Sequence, residues 1–171
     1  MSELLDKISG SRGKLENLVS SIPGYKGYKE KEMRREADRL LRETLARKYE
    51  EQWSRLSGVQ KRLMSAGGIE FTDDLEGAAV KLRGFIDKLK TAAMGYSGFF
   101  DAVKVKEDAL DKLYDFDNAL NDGLLQISGT IDAIEAAVAA KQGIPEAISR
   151  FDDQCRYLVT TLKQRKEVLT S

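Results

Sequence analysis

The sequence predicts an all-α fold: an elongated antiparallel bundle of about five helices, with long hairpins packed in the manner of a coiled coil. Three observations predict it. Only two prolines, Pro23 and Pro145, interrupt the 171 residues, and strong helix formers fill the stretches between them. Apolar residues from Leu110 to Val138 recur in alternating steps of three and four, the mark of a heptad seam. Glycines stand where one periodic stretch ends and the next begins, at Gly24, Gly67-Gly68, Gly95 and Gly143.

A first helix is expected over 3–21, with Leu4, Leu5, Ile8, Leu15, Leu18, Val19 and Ile22 at helical spacing. Pro23 ends it, because proline disfavours helical geometry at the residue before. A long second helix is expected over 29–66. Its stripe is Met33, Ala37, Leu40, Leu41, Leu45, Tyr49, Trp53, Leu56, Leu63 and Met64. The first and third helices together match it in length, which suggests that both lie antiparallel along it. Thr72 and Asp73 are candidate N-caps for the third helix, which runs to about Met94 and is rich in small residues. The fourth helix, about 106–142, carries the seam Leu110, Leu113, Leu120, Leu124, Ile127, Ile131, Ile134 and Val138, with Asp117 taking one step of it. Pro145 suits the first turn of a fifth helix with Ile148, Phe151, Cys155, Leu158 and Leu162 inward.

The chain is expected to form one domain, 1–171. The order helix, Gly-Tyr corner, long helix, Gly-Ile corner, shorter helix occurs twice, which suggests an internal duplication of 24–94 and 95–169. The corners are GYKGY at 24–28 and GYSGF at 95–99. Their glycines permit positive φ. Tyr25, Tyr28, Tyr96, Phe99 and Phe100 either anchor a protein partner or plug the end of the bundle.

Charge excludes several functions. Lys+Arg equals Asp+Glu at 28 each, so no net field attracts nucleic acid or an anionic membrane. The charge is distributed unevenly, however: 26–66 is net basic and 69–122 net acidic. That suggests lateral pairing, within one molecule or between two. Lys26, Lys29, Lys31, Arg34 and Arg35 follow the first Gly-Tyr corner, but Glu30, Glu32, Glu36 and Asp38 interleave with them. This reads as a solvated, ion-paired helix face, without the glycine spacing of a nucleotide loop. Weak nucleic-acid binding along 26–66 and membrane-surface binding through 3–22 are the alternatives to protein binding. The first helix holds little Lys or Arg for a membrane role, and packing on the second helix is simpler.

Histidine, the commonest general base, is absent, and no serine sits in a nucleophile elbow, so no enzyme is expected. Cys155 is the sole cysteine, with Asp152 and Asp153 disfavouring a thiolate, and reads as a small buried hydrophobe. Asp117 is the sharpest anomaly. On the seam it needs a partner, for which an arginine of the second helix is the natural candidate, or it shifts to the seam edge. A carboxylate metal cluster with Asp111, Asp115 and Asp122 would need further ligands, so no metal or other cofactor is expected. No signal peptide opens the chain and no stretch of 18 apolar residues occurs, which points to a cytoplasmic location. The expected function is that of a structural or adaptor protein which binds other proteins and forms homo-oligomers.

Overall fold

The computed structural model describes residues 13–91 and 107–170. Residues 13–21 belong to a first helix, α1. A 3₁₀ turn, Lys31–Met33, leads into α2, Arg34–Ser65. A second 3₁₀ turn, Ile69–Phe71, leads into α3, Thr72–Thr91. Then come α4, Glu107–Ala140, and α5, Ile144–Thr170. No strand occurs among the described residues. The all-α helical bundle expected from the sequence is what forms. The 32 residues of α2 span about 48 Å.

Four helices pack in the ring order α2, α3, α5, α4. Within each hairpin the helices are antiparallel: the Arg42 guanidinium on α2 reaches the Leu89 carbonyl late in α3, and Glu50 meets Arg83. Across hairpins they are parallel. Tyr49 reaches Leu120, Arg55 pairs with Asp132, and Arg62 lies by Glu135, so residue numbers rise together on α2 and α4. The basic side of α2 therefore finds acidic partners on α4 inside one molecule. The segment α1 runs parallel to α4, with Lys14 on Asp115, Asn17 on Asn118 and Ser21 by Asn121. This differs from the antiparallel course expected along α2. The reason is local: the chain reverses at the turn where the Tyr25 N–H meets the Ile22 carbonyl, so α1 starts and the loop ends at the same level of the bundle.

The α4 seam is as the heptad predicts. Leu113, Asp117, Leu120, Ile127, Ile131, Ile134 and Val138 are buried, and Leu110 and Leu124 pack against the core. On α2 the stripe is partly different. Leu41, Leu45, Tyr49, Leu56 and Leu63 turn inward with Val59, whereas Met33, Trp53 and Met64 are exposed. Steps of four overshoot a turn of about 3.6 residues. The row Leu41, Leu45, Tyr49, Trp53 therefore rotates off the core face, and Leu56 resumes it.

Tyr49 ties three helices together. Its ring stands edge-on to Phe85 of α3 at 4.9 Å, and its hydroxyl donates to the Leu120 carbonyl of α4 at 2.5 Å. Gly123 makes that approach possible, since a Cβ there would lie 2.6 Å from the Tyr49 hydroxyl and 2.7 Å from Leu158 Cδ2.

The two hairpin corners use the same hydrogen-bond closure. The Gly68 N–H reaches the Leu63 carbonyl at 2.9 Å, and the Gln142 N–H reaches the Ala137 carbonyl at 3.1 Å. The left-handed residue in each closure differs: Gly67 in the first and Lys141, at φ 52°, in the second. A lysine there bears a Cβ penalty that glycine avoids. Lys141→Gly is expected to raise unfolding stability by up to about 1 kcal/mol in a denaturant titration. Gly123→Ala is expected to lower it by about 1–3 kcal/mol, because the methyl overpacks the Tyr49–Leu158 contact.

Candidate functional site

Asp117 interrupts the α4 seam, and α5 carries a matching interruption. Phe151, Cys155, Leu158, Leu162, Arg165 and Leu169 step inward by fours and threes, and the arginine takes one of those steps. Asp117 and Arg165 are each 0% exposed. Arg165 Nε donates to Asp117 Oδ1 at 2.6 Å, and its Nη2 pairs with Asp38 Oδ1 of α2. Asp38 also accepts from Arg42 Nε at 2.8 Å, and Arg42 Nη1 donates to the Leu89 carbonyl at 2.8 Å. The partner of Asp117 is thus on α5, not on α2 as the sequence suggested. The second helix contributes an acid to the same arginine, while its own Arg42 turns to Asp38 and α3.

Tyr28 completes the cluster from the Gly-Tyr corner. Its hydroxyl donates to Asp117 Oδ2 at 2.6 Å, and Arg165 Nη2 lies 3.3 Å from the same oxygen. The Tyr28 N–H donates to the Tyr114 hydroxyl at 2.6 Å, and Arg34 Nε donates to the Tyr28 carbonyl at 2.8 Å. Tyr25 stands edge-on to Tyr28 at 6.1 Å. Gly27, at φ +79°, lets the corner press this close: a Cβ there would lie 2.5 Å from the Tyr114 hydroxyl.

Two carboxylates and two guanidiniums balance in charge and turn on one another. Burial alone would lower the basicity of Arg165, but Asp117 and Asp38 raise it well above its usual value, so it stays charged. Burial pushes the Asp117 carboxyl up, and Arg165 and the Tyr28 hydroxyl pull it back. Burial, with the Asp117 charge beside them, raises Tyr25 and Tyr28. Burial likewise raises Tyr49, and it takes the Cys155 thiol up to about 12 with help from Asp152. Chemically this is a lock: it fixes the register of α2, α4, α5 and the corner, and its atoms face each other instead of an opening.

Among the sequence candidates, Tyr25 and Tyr28 are buried. Tyr96, Phe99 and Phe100 lie outside the described residues. Asp115 pairs outward with Lys14 and does not converge on Asp117. Among the described residues no three of His, Cys, Asp and Glu are placed to hold a metal ion, and no helix is long and apolar enough to cross a membrane. Cys155 is buried. Leu18 of α1 and Ile22 just after it are buried. Arg34, Arg42, Arg55 and Arg62 of the basic helix are engaged with carbonyls or carboxylates of this chain.

A second feature is open. Between α2 and α3 lies a groove floored by Leu56, Ala79 and Gly84, with Trp53 and Val80 on its walls. Trp53 is 37% exposed and Val80 63%. The Arg83 guanidinium sits 5.2 Å from the Trp53 ring centre. Gln60, Glu76 and Asp87 complete a polar rim. Sequence reasoning placed Trp53 on the core stripe and so missed it; the run of fours on α2 was the available signal.

Comparison with known proteins brings no match: no family model, no curated protein and no solved structure matches the chain.

Two tests address the lock. Arg165→Met leaves Asp117 and Asp38 short of a buried counter-charge, and is expected to cost about 3–5 kcal/mol of unfolding stability. Adding Asp117→Leu to Arg165→Met is expected to recover part of that loss, which a double-mutant cycle measures. In alkali the sign follows from the raised values. The unfolded tyrosines ionise near pH 10 and the thiol near 8.5, while the folded ones stay protonated. Their stabilisation is complete below those values and is lost as pH climbs toward the folded ones. The melting temperature should therefore fall steeply above about pH 10, each passed group removing about 1.4 kcal/mol per pH unit.

Proposed function

We propose that the chain is a non-enzymatic structural or adaptor bundle that acts by binding proteins, including other copies of itself, through exposed helix faces. The observation that carries this reading is the groove between α2 and α3. It presents a half-exposed tryptophan, an exposed valine and a stacked arginine over a floor of small and apolar residues. Tryptophan and arginine are the side chains that most often dominate binding at protein interfaces. Grooves between two helices accept a further amphipathic helix along their length. The polar rim of Gln60, Glu76 and Asp87 supplies hydrogen-bonding groups at the edge, where they confer orientation more than affinity.

The interior supports the same reading from the other side. Asp117, Asp38, Arg165 and Arg42 are engaged with one another in the lock, and Asp117 and Arg165 are fully buried.

The test is Trp53→Ala, followed by sedimentation for self-association and by affinity capture with mass spectrometry for foreign partners. Association is expected to weaken at least tenfold, by about 2 kcal/mol, with little change in melting temperature, since the ring is not in the core. Undiminished association in Trp53→Ala, both with itself and with every captured protein, would remove this face as the binding site.

A further inference from the structure

The α2–α3 face around the Trp53 groove carries a charge pattern with a direction. Along α3 it runs from Asp73 and Glu76, past exposed Val80, to Arg83 and Lys90. Acid lies on one side of Val80 and base on the other. Asp87 is the exception, and Arg83 of its own helix holds it at 3.4 Å. A second α3 laid alongside in the same direction would set Glu76 against Glu76 and Arg83 against Arg83. Laid in the opposite direction, about a two-fold axis at Val80, it brings Glu76 of each copy level with Arg83 of the other, since the two stand on either side of the axis in sequence. Lys90 comes level with Glu70, which is exposed in the 3₁₀ turn before α3. Asp73 and Asp87 are the like charges brought level, and Arg83 already shields the second of them.

Size is matched about the same axis. The helices α2 and α3 are antiparallel, with the Arg83 guanidinium 5.2 Å from the Trp53 ring centre and 3.5 Å from Glu50 Oε1. An axis at Val80 therefore crosses α2 near position 55, and Trp53 of one copy comes level with Ser57 of the other. Arg83 likewise comes level with Gly77 as well as Glu76. A Cβ at Gly77 would meet no atom within 4 Å, so packing among the described residues gives no reason for a glycine there. Glycine in a helix interior is otherwise less favourable than alanine. Each bulky side chain of the face thus stands opposite a short one, as interdigitating helix layers require.

We propose that the occupant of the groove is a second copy of this chain, with the two α2–α3 hairpins face to face and α3 antiparallel to α3 about a two-fold axis at Val80. This occupant rests on the Trp53 groove being a binding face, as proposed above. The interface is isologous, so every contact is made twice. Trp53 and Val80 supply apolar contact, and Glu76 with Arg83 sets direction and register.

The test uses the full chain in sedimentation equilibrium over a range of concentrations. Glu76→Arg sets like charges together at both ends of the interface, and so does Arg83→Glu. Each variant alone is expected to self-associate at least tenfold more weakly than the wild type. An equimolar mixture of the two is expected to associate to within about threefold of the wild type, because each supplies at both ends the charge that the other lacks. Damage to the fold of either variant would persist in the mixture, so recovery on mixing reads the contact between copies. A second measurement leaves these charges untouched. Val80→Cys, at the axis, is expected to form a disulfide between copies at least tenfold faster on mild oxidation than Leu125→Cys, which is 78% exposed on α4 but off this face. Equal rates overturn the proposal. So do single charge variants that associate as the wild type does, or a mixture no stronger than its components; weakening by Trp53→Ala in the same series then keeps the groove as a binding face with a different mode of association. A wild-type chain that stays monomeric at every concentration overturns the second copy as occupant and leaves the groove to a foreign partner, which affinity capture with Trp53→Ala reads separately. Self-association undiminished by Trp53→Ala removes the groove and this occupant together.

Discussion

One buried guanidinium organises this bundle. Arg165 reaches Asp117 on α4, Asp38 on α2 and the Tyr28 hydroxyl from the loop before α2. An apolar seam tolerates a shift of one helical turn against its neighbour, because greasy contacts are not directional. A fork of donors facing two carboxylates does not tolerate it, since a shift would leave ions buried without partners. Such clusters add little net stability compared with well-packed hydrocarbon, since desolvation offsets attraction. What Arg165 contributes is a single register among α2, α4 and α5, at the end where the corner and α1 must also fit.

That register has consequences along the whole length. With α2 and α4 parallel and locked at one end, Tyr49 meets Gly123, and Arg55 and Arg62 meet Asp132 and Glu135 farther along. These outer ion pairs are partly exposed and select neighbours more than they stabilise them. The same arrangement engages Arg34, Arg42, Arg55 and Arg62 within the molecule. It also leaves the other side of α2, where Trp53 has rotated off the core, beside the small residues of α3. The protein-binding reading rests on this division of α2 into one face that is used internally and one that is left open.

The fold was legible in the sequence wherever periodicity is local. The α4 seam, the Gly67-Gly68 corner and the start of α5 near Pro145 all follow from spacing and from glycine and proline geometry. Asp117 was recognisable as an anomaly because it broke a regular heptad. Its partner was legible too, had the α5 seam been followed past Leu162 to Arg165: two opposite charges interrupted two seams of one hairpin. The exposure of Trp53 and the parallel course of α1 were harder. The run of fours from Leu41 to Trp53 hinted at the first, but the course of α1 depends on which side of a helix its neighbours occupy, and a stripe drawn along one helix does not carry that information.

The sequence by itself determined the helices, their breaks and the existence of an apolar face on each, because these follow from hydrogen bonding and side-chain spacing within a few residues. Only the tertiary structure decided how the two hairpins lie against each other, that Asp38 of α2 shares Arg165 with Asp117, and that Tyr25 and Tyr28 turn inward. Those choices depend on contacts such as Tyr28 with Asp117 and Asp38 with Arg165, between residues far apart in the chain. Their energies exist only after the helices have been brought together.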